Sequence, residues 1–477
     1  MDFVFYDIIF LVFFAIFISI FLYTRKKNIK KEGLLLLYKT SWGIKLINRI
    51  GKKYKKTLKI LSYVSIILGY FLMITMIYFF IRIVWIYIFS PEVVRAIKVP
   101  PIMPLIPYLP RVFKLTFLPP FYFTYWIIII AVIAIPHELA HGIYAAYNKI
   151  KIKNTGFGFF PFFFPVFLAA FVEPDEKQMQ KKSKFAQMSI LSAGTFANVL
   201  TAIFFFFVLW GFFSLSFAPS GVVFDTYTYS VINTSLISMI NNVSINNNSY
   251  ENILDSLEGN EMNDVIANNK SFILSKSFLE NSKEIFEKQG KVLLFDAAPA
   301  IKNELVGAIT EINGIKIESQ EKLAEILSTK KPGETIEIKT LTNKGYEKKN
   351  ITLEESPYEK GKALLGVGFI EKKSKGFLSK IFNIVALIKK PHVYYKPLYK
   401  YSEFIYNLLW WIVLISFSVA LVNMLPIGIF DGGRFFYLTI AAITKSEKIA
   451  KKSFIGLTFL FLLLLALIMF FWVFSFL

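Results

Sequence analysis

Six apolar runs, at residues 4–23, 61–90, 121–147, 186–213, 404–426 and 453–477, limit what this chain can fold into more than any other feature. Each is long enough to supply the roughly 20 residues a helix needs to cross the hydrocarbon of a bilayer. Backbone amides find no water there, so a spanning segment must close its hydrogen bonds internally, as a helix does. The runs predict a polytopic α-helical membrane protein with about six transmembrane helices. Hydrophobic residues make up 55% of the 477, clustered in these runs rather than spread with a surface-helix period.

A formal net charge of +21 raises the question of a nucleic-acid partner, but the cations sit in short loops beside apolar runs, notably Arg25–Lys59 and Lys445–Lys452. That placement marks cytoplasmic loops facing anionic headgroups, so membrane lipids are the expected partner and nucleic acid is not. The run 4–23 carries Asp2 and Asp7 at its start and its cations behind it, which predicts a retained anchor with an external N-terminus rather than a cleaved signal peptide. With no cysteine, disulfides, thiolate ligands and cysteine nucleophiles are excluded, and any metal must be held by nitrogen and oxygen.

Directly behind the apolar stretch Trp126–Ile135 stands His137-Glu138-Leu139-Ala140-His141. On a helix the two histidines lie one turn apart on one face and can share a metal, with Glu138 beside the metal's water as general base. The alternative for Glu138 is a carboxylate paired with a cation. Catalytic zinc sites typically use three protein ligands. The third candidate is Asp431, in Asn423-Met-Leu-Pro426-Ile-Gly-Ile-Phe-Asp431-Gly432-Gly433-Arg434, because charge arguments put it at the same cytoplasmic depth as the histidines. Its alternatives are an N-cap for a helix starting near Arg434, or an ion pair with Arg434. The expected cofactor is Zn2+ on His137, His141 and Asp431.

Gly156–Val172 is aromatic but broken by Pro161 and Pro165, which predicts a re-entrant or hairpin element, followed by the charged stretch Glu173–Lys184. From Pro219 to about Tyr401 the chain turns polar and predicts an extramembrane domain. Residues 226–290 carry an Asn/Ser-rich stretch, Asn241–Asn248, and then a more helical pattern. Residues 291–370 read as a compact α+β module, with a turn at Asn313-Gly314, a helix over Gln320–Leu327 and a turn at Lys331-Pro332-Gly333. His392 lies in this external segment, across the membrane from the other histidines, and is expected at a surface or interface rather than as a ligand.

Taken together, the ordered motifs resemble the site-2 protease family of intramembrane zinc metalloproteases, in its archaeal and eukaryotic-like branch. His137–His141 matches the family's His-Glu-x-x-His; Asn423, Pro426, Asp431 and Gly432 match its Asn-x-x-Pro-x-x-x-x-Asp-Gly. Ala170-Phe-Val-Glu-Pro-Asp-Glu176 resembles a stretch of that branch, and Gly194-Thr-Phe-Ala-Asn198 resembles Gly-Pro-x-x-Asn with Thr195 in place of Pro. The resemblance implies that Asn198 and Asn423 bind substrate or stabilise the oxyanion, each having an interhelical hydrogen bond as its alternative. It also implies that the external module is PDZ-like, with Gly366-Val-Gly-Phe369 as a weak carboxylate loop. The implied organisation is an N-terminal pair of spans (1–120), a catalytic core with the re-entrant segment (121–217), an extracytoplasmic PDZ-like domain with its insert (218–402) and a C-terminal core (403–477). The implied function is hydrolysis of transmembrane protein substrates in the cell membrane, with the site toward the cytoplasm. A non-proteolytic scaffold or transporter with an intramembrane ion site is the competing class. The oligomeric state is left open.

Overall fold

The computed structural model describes residues 3–32, 35–97, 100–101, 103–115, 117–159, 168–245, 247–259, 262–357, 359–370 and 388–474. Two compact units emerge: Met1–Phe212 with Glu403–Leu477, and Phe213–Ser402.

Among the described residues, six helices, each wholly or almost wholly in the first unit, are long and apolar enough to cross a membrane: α1 (Phe3–Thr24), α3 (Lys55–Phe89), α4 (Phe123–Tyr147), α6 (Lys184–Ser216), α7 (Ser402–Asn423) and α9 (Glu447–Phe474). They coincide with the six predicted runs. The fifth stops at Asn423, three residues early, because Pro426 disfavours helical backbone in the residue before it and has no N–H to continue the ladder. After a turn over Met424–Phe430 the chain starts a separate helix, α8 (Asp431–Thr444).

The helices α1, α4 and α7 begin at the same end of the unit. Asp7 of α1 accepts from the amides of Phe123 and Thr124 at 2.7 and 2.9 Å, and the Tyr125 hydroxyl donates to the Phe404 carbonyl at 2.8 Å. The histidines in the second half of α4 therefore lie toward the end where α7 finishes and hands over to Asp431.

The basic stretch after α1 is not the plain loop expected. It folds into β1 (Ile29–Glu32), β2 (Leu35–Thr40) and α2 (Ile44–Lys53). Strand β2 pairs with β3 (Ile152–Phe159), which pairs with β4 (Leu168–Pro174), giving an antiparallel four-stranded sheet in the order β1-β2-β3-β4. Gly156–Val172 thus contributes to a hairpin; its connection at 160–167, with Pro161 and Pro165, lies outside the described residues. Lys39 of β2 bridges Glu32 and Glu173 at 2.9 Å each. The Asn154 amide and this ammonium hold the Glu173 carboxyl below the usual carboxylate range. Helix α2 clamps the sheet to α4: Ile47, fully buried, sits against Gly142, and a Cβ on Gly51 would come within 2.9 Å of the Tyr147 amide nitrogen. Among the described residues the second edge of β4 pairs with no strand.

The second unit holds two six-stranded sheets. In one, the strands run in the spatial order Tyr229–Asn233, Lys291–Asp296, Lys270–Leu274, Asn263–Ala267, Ile237–Ile240 and Val243–Ser244, over a core that includes Ile240, Val265, Leu274, Val292 and Leu294. The more helical pattern read after Asn241–Asn248 is therefore corrected, since the strands Asn263–Ala267 and Lys270–Leu274 fall within it. Among the described residues there, α-helix is confined to Tyr250–Asp255, Lys276–Asn281 and Lys283–Gln289, two of them capped by Ser249 and Ser275. The strand Lys291–Asp296, assigned from sequence to the following module, belongs to this sheet because it pairs with Tyr229–Asn233. Apolar alternation shows which face is buried and says nothing about which strand is the neighbour.

The other sheet comprises Gly345–Thr352, Thr335–Thr342, Ala308–Ile312, Phe217–Val223 and Val393–Pro397, with Ile315–Lys316 paired to Ala308–Ile312. The turn Asn313-Gly314 has φ of 49° and 79°, the left-handed pair a two-residue hairpin favours. A helix at Gln320–Ser328, capped by Ser319, packs Leu323 and Ile326 into the core. Val367–Gly368, in the candidate carboxylate loop, pairs with Thr226–Tyr227. His392 places Nδ1 3.2 Å from Asp225 Oδ2 within this unit.

Candidate metal centre

His137 and His141 stand on one face of α4, just after Pro136, whose ring lacks the N–H that would close the turn onto Val132. Their Nε2 atoms are 3.0 Å apart, and Asp431 Oδ2 lies 3.5 Å from the first and 3.2 Å from the second. A metal with bonds of about 2.0–2.2 Å in tetrahedral array needs donors about 3.3–3.6 Å apart. The two imidazole nitrogens and the carboxylate oxygen, 3.0 to 3.5 Å apart, need to spread by no more than about 0.3 Å to take such an ion, and they form the one group of this kind among the described residues.

Both histidines are oriented by one helix, α6. His141 Nδ1 donates to the Ile190 carbonyl of α6 at 2.7 Å, leaving Nε2 as the metal-facing lone pair. The Asn198 carboxamide, fully buried, is 3.0 Å from His137 Nδ1. With Nε2 on a metal, Nδ1 must carry the proton, so the amide oxygen is the group that belongs opposite it; Oδ1 has no other partner. Asn198 thus makes an interhelical hydrogen bond, to a ligand ring, and also lines the cavity in front of the metal group. Asn423, half-buried at the end of α7, lines the cavity in front of the metal group.

Asp431 is the first residue of α8. Neither sequence alternative describes it: the N-cap position is Phe430, and Arg434 pairs with Glu176. Gly432 and Gly433 let the preceding turn fold back, since a Cβ on Gly432 would lie 2.7 Å from the Leu425 carbonyl oxygen and one on Gly433 2.6 Å from the Ile427 carbonyl carbon. Thr195 interrupts nothing, and α6 runs through it as a continuous helix.

Room for an ion comes from Gly194, four residues before Asn198 and on the same face of α6. A Cβ there would fall 2.6 Å from His137 Nε2 and closer still to His141 Nε2. The sequence marks Gly194 only as the first residue of a motif; its spacing from Asn198 is the signal that both address the histidines.

Glu138 uses Oε2 to accept from the Val172 amide of β4 at 2.9 Å, so among the described residues it touches a strand and not a cation. A cavity of about 620 Å³ is lined by Glu138 and the three ligand residues, by Ala169, Ala170 and Val172 of β4, and by Ile129 and Ile133 of α4. The ligands therefore sit between helices, facing a cleft with a strand along one wall.

Helices long and apolar enough to span a membrane, with a metal-competent His-His-Asp group beside a carboxylate, are the elements that a membrane metallopeptidase would need. Comparison with known proteins agrees. The sequence pattern of Peptidase family M50, the site-2 protease family, matches residues 125–467, and the chain belongs to that family. It is also 29% identical over 194 residues to an uncharacterised protein, MJ0971, of Methanocaldococcus jannaschii, a match covering 39% of this chain and 47% of that one. The chain spans about half the length of this curated relative.

Proposed function

We propose that this protein is an intramembrane zinc protease that cuts transmembrane protein substrates within or near their spans, as in regulated intramembrane proteolysis. The observation that carries the reading is the ligand group His137, His141 and Asp431, which opens on a cleft walled by the free edge of β4. Nitrogen and oxygen donors at these separations suit zinc, which when bound supplies Lewis acidity to polarise a scissile carbonyl and activate water.

The chain's own residues do the rest. A substrate helix hides its carbonyls in internal hydrogen bonds, so it must unwind before it can be cut. The open edge of β4 offers N–H and C=O groups that hold an unwound segment extended, in the manner of strand addition. Glu138, one residue from His137, takes the proton of the attacking water and passes it to the leaving amine. Asn198 fixes the ring of His137, and Asn423 faces the substrate. In the second unit, the sheet that carries Gln320–Ser328 is read as a PDZ-like fold, extracytoplasmic, with the metal site toward the cytoplasm and the protein in the cell membrane.

Glu138→Gln tests this directly. The variant should keep its zinc and lose cleavage of a reconstituted single-span substrate by at least about a thousandfold, the upper range for removing a general base together with its charge. Cleavage at the wild-type rate removes Glu138 from the chemistry.

A further inference from the structure

Beyond the catalytic cavity lies a second one of about 580 Å³, lined by Gln180, Lys182, Lys184 and Gln187 on one part of its wall and by Tyr437 and Glu447 on another. Where the catalytic cavity is largely aliphatic, this one is polar. Only two described residues belong to both linings, Glu176 and Arg434, and they form an ion pair with each other.

The position of that pair matters. Glu176 opens the short helix α5 (Glu176–Gln180), two residues beyond the end of β4, and Arg434 stands one turn after the ligand Asp431 on α8. A chain laid along the free edge of β4 leaves it past Pro174 and meets the ion pair. Its partners are about a third and a half exposed, and an ion pair so open to water contributes no more than about 1 kcal/mol. Binding of a polypeptide can displace it.

The geometry points to Glu176 and Arg434 as a displaceable partition, and to the polar cavity behind them as the subsite for the hydrophilic flank of the substrate. This rests on the proteolytic reading and narrows it. A preferred substrate carries an extended polar segment next to its scissile region, and that segment passes between α5 and α8 into the second cavity. Glu176 and Arg434 are then positioning residues that select substrates by their flank and leave the bond-breaking step itself unchanged.

The chain has no cysteine, which permits a clean test. In a Glu176→Cys/Arg434→Cys variant of the full chain, the two thiols are bridged with a short bis-methanethiosulfonate, and zinc is assayed before and after. Cleavage of a single-span substrate with a long polar flank should fall at least tenfold on bridging and return on reduction, with zinc content constant. A short peptide that ends at the scissile segment should be cut equally by bridged and unbridged protein. Unchanged cleavage of the long substrate overturns the partition. So does an equal loss for both substrates, because the bridge would then be distorting the metal site. If wild-type protein holding zinc cuts neither substrate, the proteolytic reading itself fails and this inference with it; the unbridged controls separate that failure from the other two.

Discussion

Gly194→Ala is expected to empty the metal site while leaving the helices intact. The added methyl would lie 2.6 Å from His137 Nε2 and nearer still to His141 Nε2, the two atoms that face the ion. Neither ring can swing away. His141 is tied to the Ile190 carbonyl and His137 to Asn198, and both of those partners sit on the same helix as the offending methyl. The helix itself gains, since alanine is favoured over glycine by up to about 1 kcal/mol in a helix interior. The result sought is zinc per chain falling below about a tenth of wild type, with unchanged helical circular dichroism and no cleavage. Gly211→Ala is the control: it lies on the same helix, its added methyl would meet nothing within 4 Å, and it should match wild type in both assays. Full zinc in the Gly194 variant would contradict this account of the site.

A second large effect is expected far from the metal. Asp7 is 1% exposed in an apolar helix, which would be costly for a lone carboxylate. It is fully occupied instead: it accepts from the Tyr108 hydroxyl, the amides of Phe123 and Thr124 and the Thr124 hydroxyl, at 2.5 to 2.9 Å. A carboxylate at the open amides of a helix start satisfies orphan donors and complements the helix dipole. Here the helix is α4, which carries the histidines, and the cap comes from a different span. Asp7→Ala strands these donors in the protein interior and should cost about 3 kcal/mol or more. The measurement is the thermal midpoint of detergent-solubilised protein, expected to fall by several degrees. Equal midpoints for wild type and Asp7→Ala would make α1 the mere anchor that its sequence suggests.

That contrast shows where the sequence is legible. The spans can be read because apolar length is dictated by the bilayer and needs no partner. The ligand residues stand out because His and Asp are costly in such surroundings, and because the charge of the flanking loops fixes depth independently in each span. Asp7 reads only as a charge that orients α1, since the amides it caps are 116 and more positions away. The sheet formed by β1 and β2 with the hairpin is hidden for a similar reason: Leu35–Thr40 is an apolar fragment in a basic stretch, and nothing local names Ile152–Phe159 as its neighbour. Asn198 is marked by its motif, but with substrate as its implied company. Only the three-dimensional position of His137 shows that its carboxamide addresses a ligand ring. In the second unit the turns are legible because Asn-Gly and Pro-Gly act locally, whereas ownership of the strand Lys291–Asp296 depends on pairing across the insert.

The central claim is that an ion held jointly by α4 and α8 makes this membrane protein a peptidase. Zinc per chain in purified wild type and in Asp431→Ala, measured alongside cleavage of one reconstituted single-span substrate, tests it most directly. About one zinc and clean cleavage are predicted for wild type, and loss of both for the variant. A wild-type protein that cleaves without bound metal, or an Asp431→Ala protein that keeps its zinc and its rate, would contradict it.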